Sequence, residues 1–271
     1  MGRPGAARVI LLDIVIAALA GGVLATIAAA VTLNISHAWI PHFVSFAVGA
    51  LLGAVVLELL PHALESGDVA AVMLTVLIGL LAFFLLEKFV LWRHAHGHGE
   101  HSATREETEH EHALHAPGPI EFGRPGLMIL VGNSVHAFCD GIVIAAAFLA
   151  DAALGIATTI AIVAHAVPQQ VGDFAVLLHS GFPRRKAFMY NVATGVATLV
   201  GALLTYVALA DMQQWLPGVL AIAAASLLYV AVADLIPSLH RRAEPVETAK
   251  QMLAIGLGIG VIALTHRLLE P

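Results

Sequence analysis

Residues 126–150 read GLMILVGNSVHAFCDGIVIAAAFLA, an apolar run interrupted by His136 and Asp140. As a helix rising about 1.5 Å per residue, it is long enough to cross the roughly 30 Å hydrocarbon core of a bilayer. Seven more apolar blocks lie at about 9–31, 40–64, 69–91, 153–178, 187–210, 215–239 and 250–268. Of the 271 residues, 59% are hydrophobic and only 12% charged, about half the charge of a soluble domain. The expected fold class is an all-α membrane protein with eight transmembrane helices, numbered here as spans 1–8. A transmembrane β-barrel would show roughly ten-residue alternating segments instead. The first block follows basic residues, as a signal peptide does, but it continues to Val31 and contains Asp13. It reads as a retained span. The net charge of −6 belongs mostly to the loops and says little about partners. The one cysteine, Cys139, excludes an intramolecular disulfide and a cysteine-based zinc site.

Basic residues favour cytoplasmic connections and so orient the chain. Lys88, Arg93, Arg105, Arg124, Arg184, Arg185, Lys186, Arg241, Arg242 and Lys250 all lie in or beside the connections 3–4, 5–6 and 7–8. The connections 2–3, 4–5 and 6–7 hold none. The basic connections are therefore expected in the cytoplasm and both termini outside, although Arg3 and Arg8 argue weakly the other way. The expected setting is a bacterial inner membrane. The chain divides into 1–93 with spans 1–3, a histidine-rich connection 94–123, 124–180 with spans 4–5, and 181–271 with spans 6–8.

Spans 2 and 7 share a pattern. Leu51–Leu64 reads LLGAVVLELLPHAL and Leu227–His240 reads LLYVAVADLIPSLH. At one constant offset Leu51, Leu52, Val56, Leu59 and Pro61 meet Leu227, Leu228, Val232, Leu235 and Pro237, and Glu58 meets Asp234. The two spans run in opposite directions, so the match reads as an inverted repeat of the kind found in secondary transporters. Chance similarity between two apolar helices is the alternative.

An aspartate at the middle of a spanning helix costs about 2.5–3.5 kcal/mol on insertion, so such residues face a bundle interior or a water-filled path. On span 4, Asn133, His136 and Asp140 share one helical face, and on span 5 His165, Gln169 and Asp173 share another. Pro168 removes a backbone N–H and frees the carbonyl of Ala164. Imidazoles and carboxylates on two antiparallel helices suit a first-row divalent metal, and Glu58 adds a second carboxylate to balance a dication. A buried polar network and a proton path remain the alternatives at this point. Asp234 has only the repeat in its favour.

The connection after span 3 carries His94, His96, His98, His101, His110, His112 and His115 among glutamates, with few apolar residues. It is expected to be disordered and to bind zinc-like ions in several arrangements. On the cytoplasmic face it reads as a receiver or sensor of metal, distinct from the transport site.

These segments together resemble the Zrt/Irt-like (ZIP) metal transporters over nearly the whole chain. HAFCDGIVIAAAF resembles the family's fourth-span signature H-N-x-x-D-G, and HAVPQQVGDFAVLL its fifth-span signature H-E-x-P-H-E-x-G-D. GALLGAVVLELLPHALE resembles the second span, FFLLEKFVLWRHAHGHGEH the third with its histidine-rich loop, and SLLYVAVADLIPSL the seventh. The resemblance implies a 3+2+3 arrangement, spans 1–3 and 6–8 being inverted repeats around spans 4–5. It implies a transport site of Glu58, His136, Asp140, His165 and Gln169; Asn133, Asp173 and Asp234 are secondary candidates from helical spacing and the repeat. It also implies Zn²⁺, or Cd²⁺, Fe²⁺ or Mn²⁺, as the transported substrate. The chain departs from the family where a second metal would sit. Ala137, Ala166, the pair Gln169–Gln170 and Thr198 stand in place of ligating residues. One metal is therefore expected, not two.

The function expected is a secondary transporter that moves a divalent metal into the cytoplasm by alternating access. The expected partners are the metal ion and the lipid bilayer, with a homodimer as the assembly considered and no nucleic acid. No enzymatic activity is expected, since the spans lack the H-E-x-x-H of a metalloprotease. A metal sensor that binds without transport and a proton-coupled channel are the rival readings.

Overall fold

A computed structural model of the protein describes residues 4–32, 40–66, 68–96, 124–209, 212–240 and 244–269. Among these residues there is no strand, and eight helices are long and apolar enough to cross a membrane. Span 3 is Val69–His96, span 4 Arg124–Ala150, span 5 Ala152–His179, span 6 Arg184–Leu209 and span 8 Pro245–Leu269. Spans 1, 2 and 7 are each broken by a wider π-turn, at Ala20–Leu24, Ala54–Leu59 and Val230–Leu235. Several helices outrun their apolar blocks, because hydropathy marks the lipid-facing length while Arg, Lys and Ala continue a helix into the interface. His94 and His96, expected in the connection, thus lie on the last turn of span 3. His98, His101, His110, His112 and His115, with the disorder expected of them, lie outside the described residues.

The π-turns were not legible in the sequence. Those of spans 2 and 7 begin at 54 and 230 and end at 59 and 235, both 176 residues apart, which is the offset of the sequence match. A π-turn inserts one residue and loosens the backbone bonding around it. Each copy tends its last carbonyls with the same repeat position. His62 Nδ1 lies 3.0 Å from the carbonyl oxygen of Glu58, and Ser238 Oγ donates to Leu235 at 2.6 Å.

Close helix approach rests on glycine. A Cβ on Gly141 would stand 2.0 Å from the Thr198 carbonyl oxygen, and one on Gly201 2.2 Å from that of Phe138, so spans 4 and 6 meet backbone to backbone. Gly22 and Gly195 join spans 1 and 6 in the same way, and Gly49 and Gly258 join spans 2 and 8. Span 3 packs on span 7. Span 2 packs on span 8 in turn. Spans 1, 4, 5 and 6 form one packed group and spans 2, 3, 7 and 8 another. They meet where span 5 packs on spans 2 and 8 and span 4 on span 7. Span 5 runs through Pro168 as one continuous helix. Asp151 caps its start by accepting from the backbone N–H groups of Ala153 and Leu154.

Candidate metal site

Spans 4 and 5 bring His136, Asp140 and His165 together. The helical spacing puts His136 and Asp140 one above the other, with His136 Nε2 3.6 Å from Asp140 Oδ2. His165 Nε2 reaches in from span 5, 3.5 Å from the same oxygen and 3.3 Å from His136 Nε2. The two rings meet edge to face, 73° apart.

Hydrogen bonding decides how His165 presents itself. Its Nδ1 lies 3.2 Å from the carbonyl oxygen of Ala161, one turn earlier. A carbonyl only accepts, so Nδ1 carries the proton and the lone pair of Nε2 faces the cluster. The backbone here plays the orienting role that an outer carboxylate plays at many metal-ligating histidines. The other oxygen of Asp140, Oδ1, is buried and has no hydrogen-bond partner among the described residues. A carboxylate oxygen left in that condition is costly unless something binds it.

The geometry suits a tetrahedral cation. Zinc bonds nitrogen and oxygen at about 2.0–2.2 Å, which separates neighbouring ligand atoms by about 3.3–3.6 Å. The three separations here, 3.3, 3.5 and 3.6 Å, are edges of such a tetrahedron. Three protein ligands leave the fourth corner open, as exchange of a bound ion demands.

The other expected residues fall around this centre. Glu58 is fully buried within the π-turn of span 2 and does not join the group whose ligand atoms lie within 4.8 Å of one another. Gln169 is partly exposed, one turn beyond His165 on span 5. Asn133 and Asp173 face each other across spans 4 and 5. Asp234, singled out only by the repeat, is exposed on span 7.

The positions that the resemblance marked for a second metal are packed into the bundle. Ala166 and Thr198 are buried. Gln170 sends its amide Nε2 to the Gly22 carbonyl at 3.4 Å, joining spans 5 and 1. The Thr26 hydroxyl donates to that same carbonyl at 2.8 Å.

Comparison with known proteins gives this geometry a family. The family model described as ZIP Zinc transporter matches residues 7–266. The chain belongs to the ZIP zinc transporter family. Among curated ZIP relatives, Zinc transporter SLC39A7 of Mus musculus is 30% identical, over 83% of this chain and 62% of its own length. Zinc transporter ZIP4 of Homo sapiens is 31% identical, over 65% of this chain and 35% of its own. The Zinc transporter ZIP13 homolog of Drosophila melanogaster is 30% identical, over 83% of this chain and 77% of its own. The chain thus spans only part of the ZIP relatives it matches, from about a third to three quarters of their length.

Proposed function

We propose that this ZIP protein carries a divalent transition metal, zinc foremost, across the membrane into the cytoplasm, one ion at a time. The observation that carries the reading is the convergence of His136 Nε2, His165 Nε2 and Asp140 Oδ2 at tetrahedral spacing inside the bundle. Gln169 and Glu58 are proposed to join as the site changes conformation. Two imidazoles and one carboxylate bind zinc, cadmium, iron(II) and manganese in different degree, and the nitrogen ligands favour zinc over manganese. The relatives, zinc transporters by name, support the same cargo.

Access is one-sided. The side chain of His136 is 19% exposed while those of Asp140 and His165 are 5% and 1% exposed. Beyond the cluster, Val143 to Phe148 on span 4 and Leu154, Ala157, Ala161 and Ile162 on span 5 are all buried. The open side is that of Asn133, Asp173 and Asp234. With the basic connections in the cytoplasm, this is an inward-facing state. Alternating access then moves spans 1, 4, 5 and 6 as a unit against spans 2, 3, 7 and 8. Span 4 does not move alone, because its glycine seam with span 6 would have to part, and span 6 is joined to span 1 in the same way.

The decisive test is zinc uptake by proteoliposomes that hold a zinc-sensitive dye. Uptake that saturates supports transport, and binding without uptake supports a sensor. Equilibrium binding in detergent is expected to give one zinc per chain at this site, and two tightly bound ions per chain would refute the single-metal reading. Acid should oppose binding. Each imidazole must give up a proton to ligate, so affinity is expected to fall between pH 7.5 and 5.5. A zinc affinity constant across that interval would count against histidine ligation.

A further inference from the structure

Glycine seams join span 4 to span 6 and span 1 to span 6, but none of the described glycines makes such a seam for span 5. A Cβ on its Gly172 would meet nothing within 4 Å, and one on its Gly155 would meet the Phe148 ring. Span 5 reaches span 1 instead through a neutral polar group. Gln170 Nε2 lies 3.4 Å from the Gly22 carbonyl oxygen, inside the π-turn of span 1. That oxygen already accepts from the Ala25 N–H and, at 2.8 Å, from the Thr26 hydroxyl. A carbonyl oxygen has two lone pairs, so the Gln170 amide is held loosely.

The polar series continues into span 6. Thr26 comes one turn after Gly22, and Asn191 one turn before Gly195, so the pair flanks the Gly22–Gly195 contact. Thr26 Oγ1 stands 3.4 Å from the Asn191 carbonyl oxygen, to which the Thr194 hydroxyl donates at 2.6 Å. Thr26 has a single hydroxyl proton, and its shorter contact, to Gly22, takes it.

Three atoms of this series have no hydrogen-bond partner among the described residues. They are Gln170 Oε1 and both Oδ1 and Nδ2 of Asn191. Asn191 is 0% and Gln170 7% exposed, so bulk solvent does not serve them. Turning the Asn191 amide over exchanges its two ends and satisfies neither. Buried polar atoms left bare are costly. A cation would serve the two oxygens but not the Nδ2 donor, and none of these groups carries a charge to balance it. Water both donates and accepts, and a buried molecule needs only two to four polar partners.

We propose that ordered water is bound between spans 1, 5 and 6, where it links the side-chain amides of Gln170 and Asn191, with the Thr26 hydroxyl oxygen as a further partner. A bridging water is nearly as good as a direct hydrogen bond. It ties the helix that carries His165 to span 6, as glycine contact ties spans 1 and 4.

Nuclear magnetic resonance of the full-length protein in lipid nanodiscs tests this. Asn34, Asn133 and Asn191 are the asparagines of the chain, so ¹⁵N-asparagine labelling with Asn34→Ser and Asn133→Ser assigns the Asn191 amide. That amide is expected to show a cross-peak to bound water, and its absence would overturn the proposal. Thermal melts give a second readout with opposite signs. If water is bound, Asn191→Leu breaks the bridge and lowers the melting temperature by about 2–4 °C. In a dry pocket the same change removes two bare polar atoms and raises it. Gln170→Met should also lower it, and the double variant should melt where the worse single variant does, because both lose the same water. A rise with Asn191→Leu, or losses that simply add, would sink the idea. If Asn191→Leu does not fold, the cross-peak in the parent protein decides. Neither readout involves zinc, so the outcome stands apart from the transport reading.

Discussion

Asp140→Asn is expected to lower zinc uptake by about 100-fold or more while leaving a folded protein. The substitution keeps the size of the side chain and removes the one carboxylate of the His136–Asp140–His165 cluster. Breaking a buried charge pair by removing one partner costs about 3–5 kcal/mol, which is at least two decades in affinity. The buried, unbonded Oδ1 of Asp140 makes the loss specific to the loaded state. Without metal the Asn variant should melt no lower than the parent, because a neutral amide is cheaper to bury than a carboxylate. Added zinc should raise the melting temperature of the parent and not of the variant, since a ligand stabilises only the state it binds. Dye-monitored uptake in proteoliposomes and thermal melts with and without zinc supply both readouts. Uptake within twofold of the parent would remove Asp140 from the transport site.

The second large effect concerns the seam behind the site. Gly141→Ala should destabilise the protein by about 3 kcal/mol, the upper end of ordinary overpacking. The added methyl would stand 2.0 Å from the Thr198 carbonyl oxygen and 2.8 Å from the Ala202 nitrogen. Those are backbone atoms of span 6 and cannot swing aside as a side chain would. Gly141 also follows Asp140 directly, so the displaced span would carry the carboxylate away from the imidazoles. A lowered melting temperature together with weakened zinc binding is the expected pair of results. Gly256→Ala on span 8 is the control, since a Cβ there meets nothing within 4 Å and alanine is the better helix former. Gly141→Ala melting together with Gly256→Ala would show that the seam is not under that constraint.

Three residues of the candidate site are legible in the sequence alone. Membrane burial makes ionisable residues expensive, so His136, Asp140 and His165 stand out from their apolar surroundings, and helical spacing places the first two on one face. The same cost argument failed to rank Asp234, because a lone acid in an apolar run carries no sign of what lies across from it. The repeat was visible as Glu58 opposite Asp234, but its structural content was not. No residue type announces a π-turn, which arises when packing forces an extra residue into a helix that is otherwise regular.

Length, hydropathy and the placing of arginine and lysine are properties of single segments in a known solvent, the bilayer. They sufficed for eight helices, their approximate limits and the residues too polar to face lipid. Other features depend on which helix touches which, and those contacts are the sum of many weak terms that no single segment contains. The meeting of two imidazoles and a carboxylate at 3.3–3.6 Å is one. The division into two helix groups is another. So is the contrast between a buried Glu58 and an exposed Asp234.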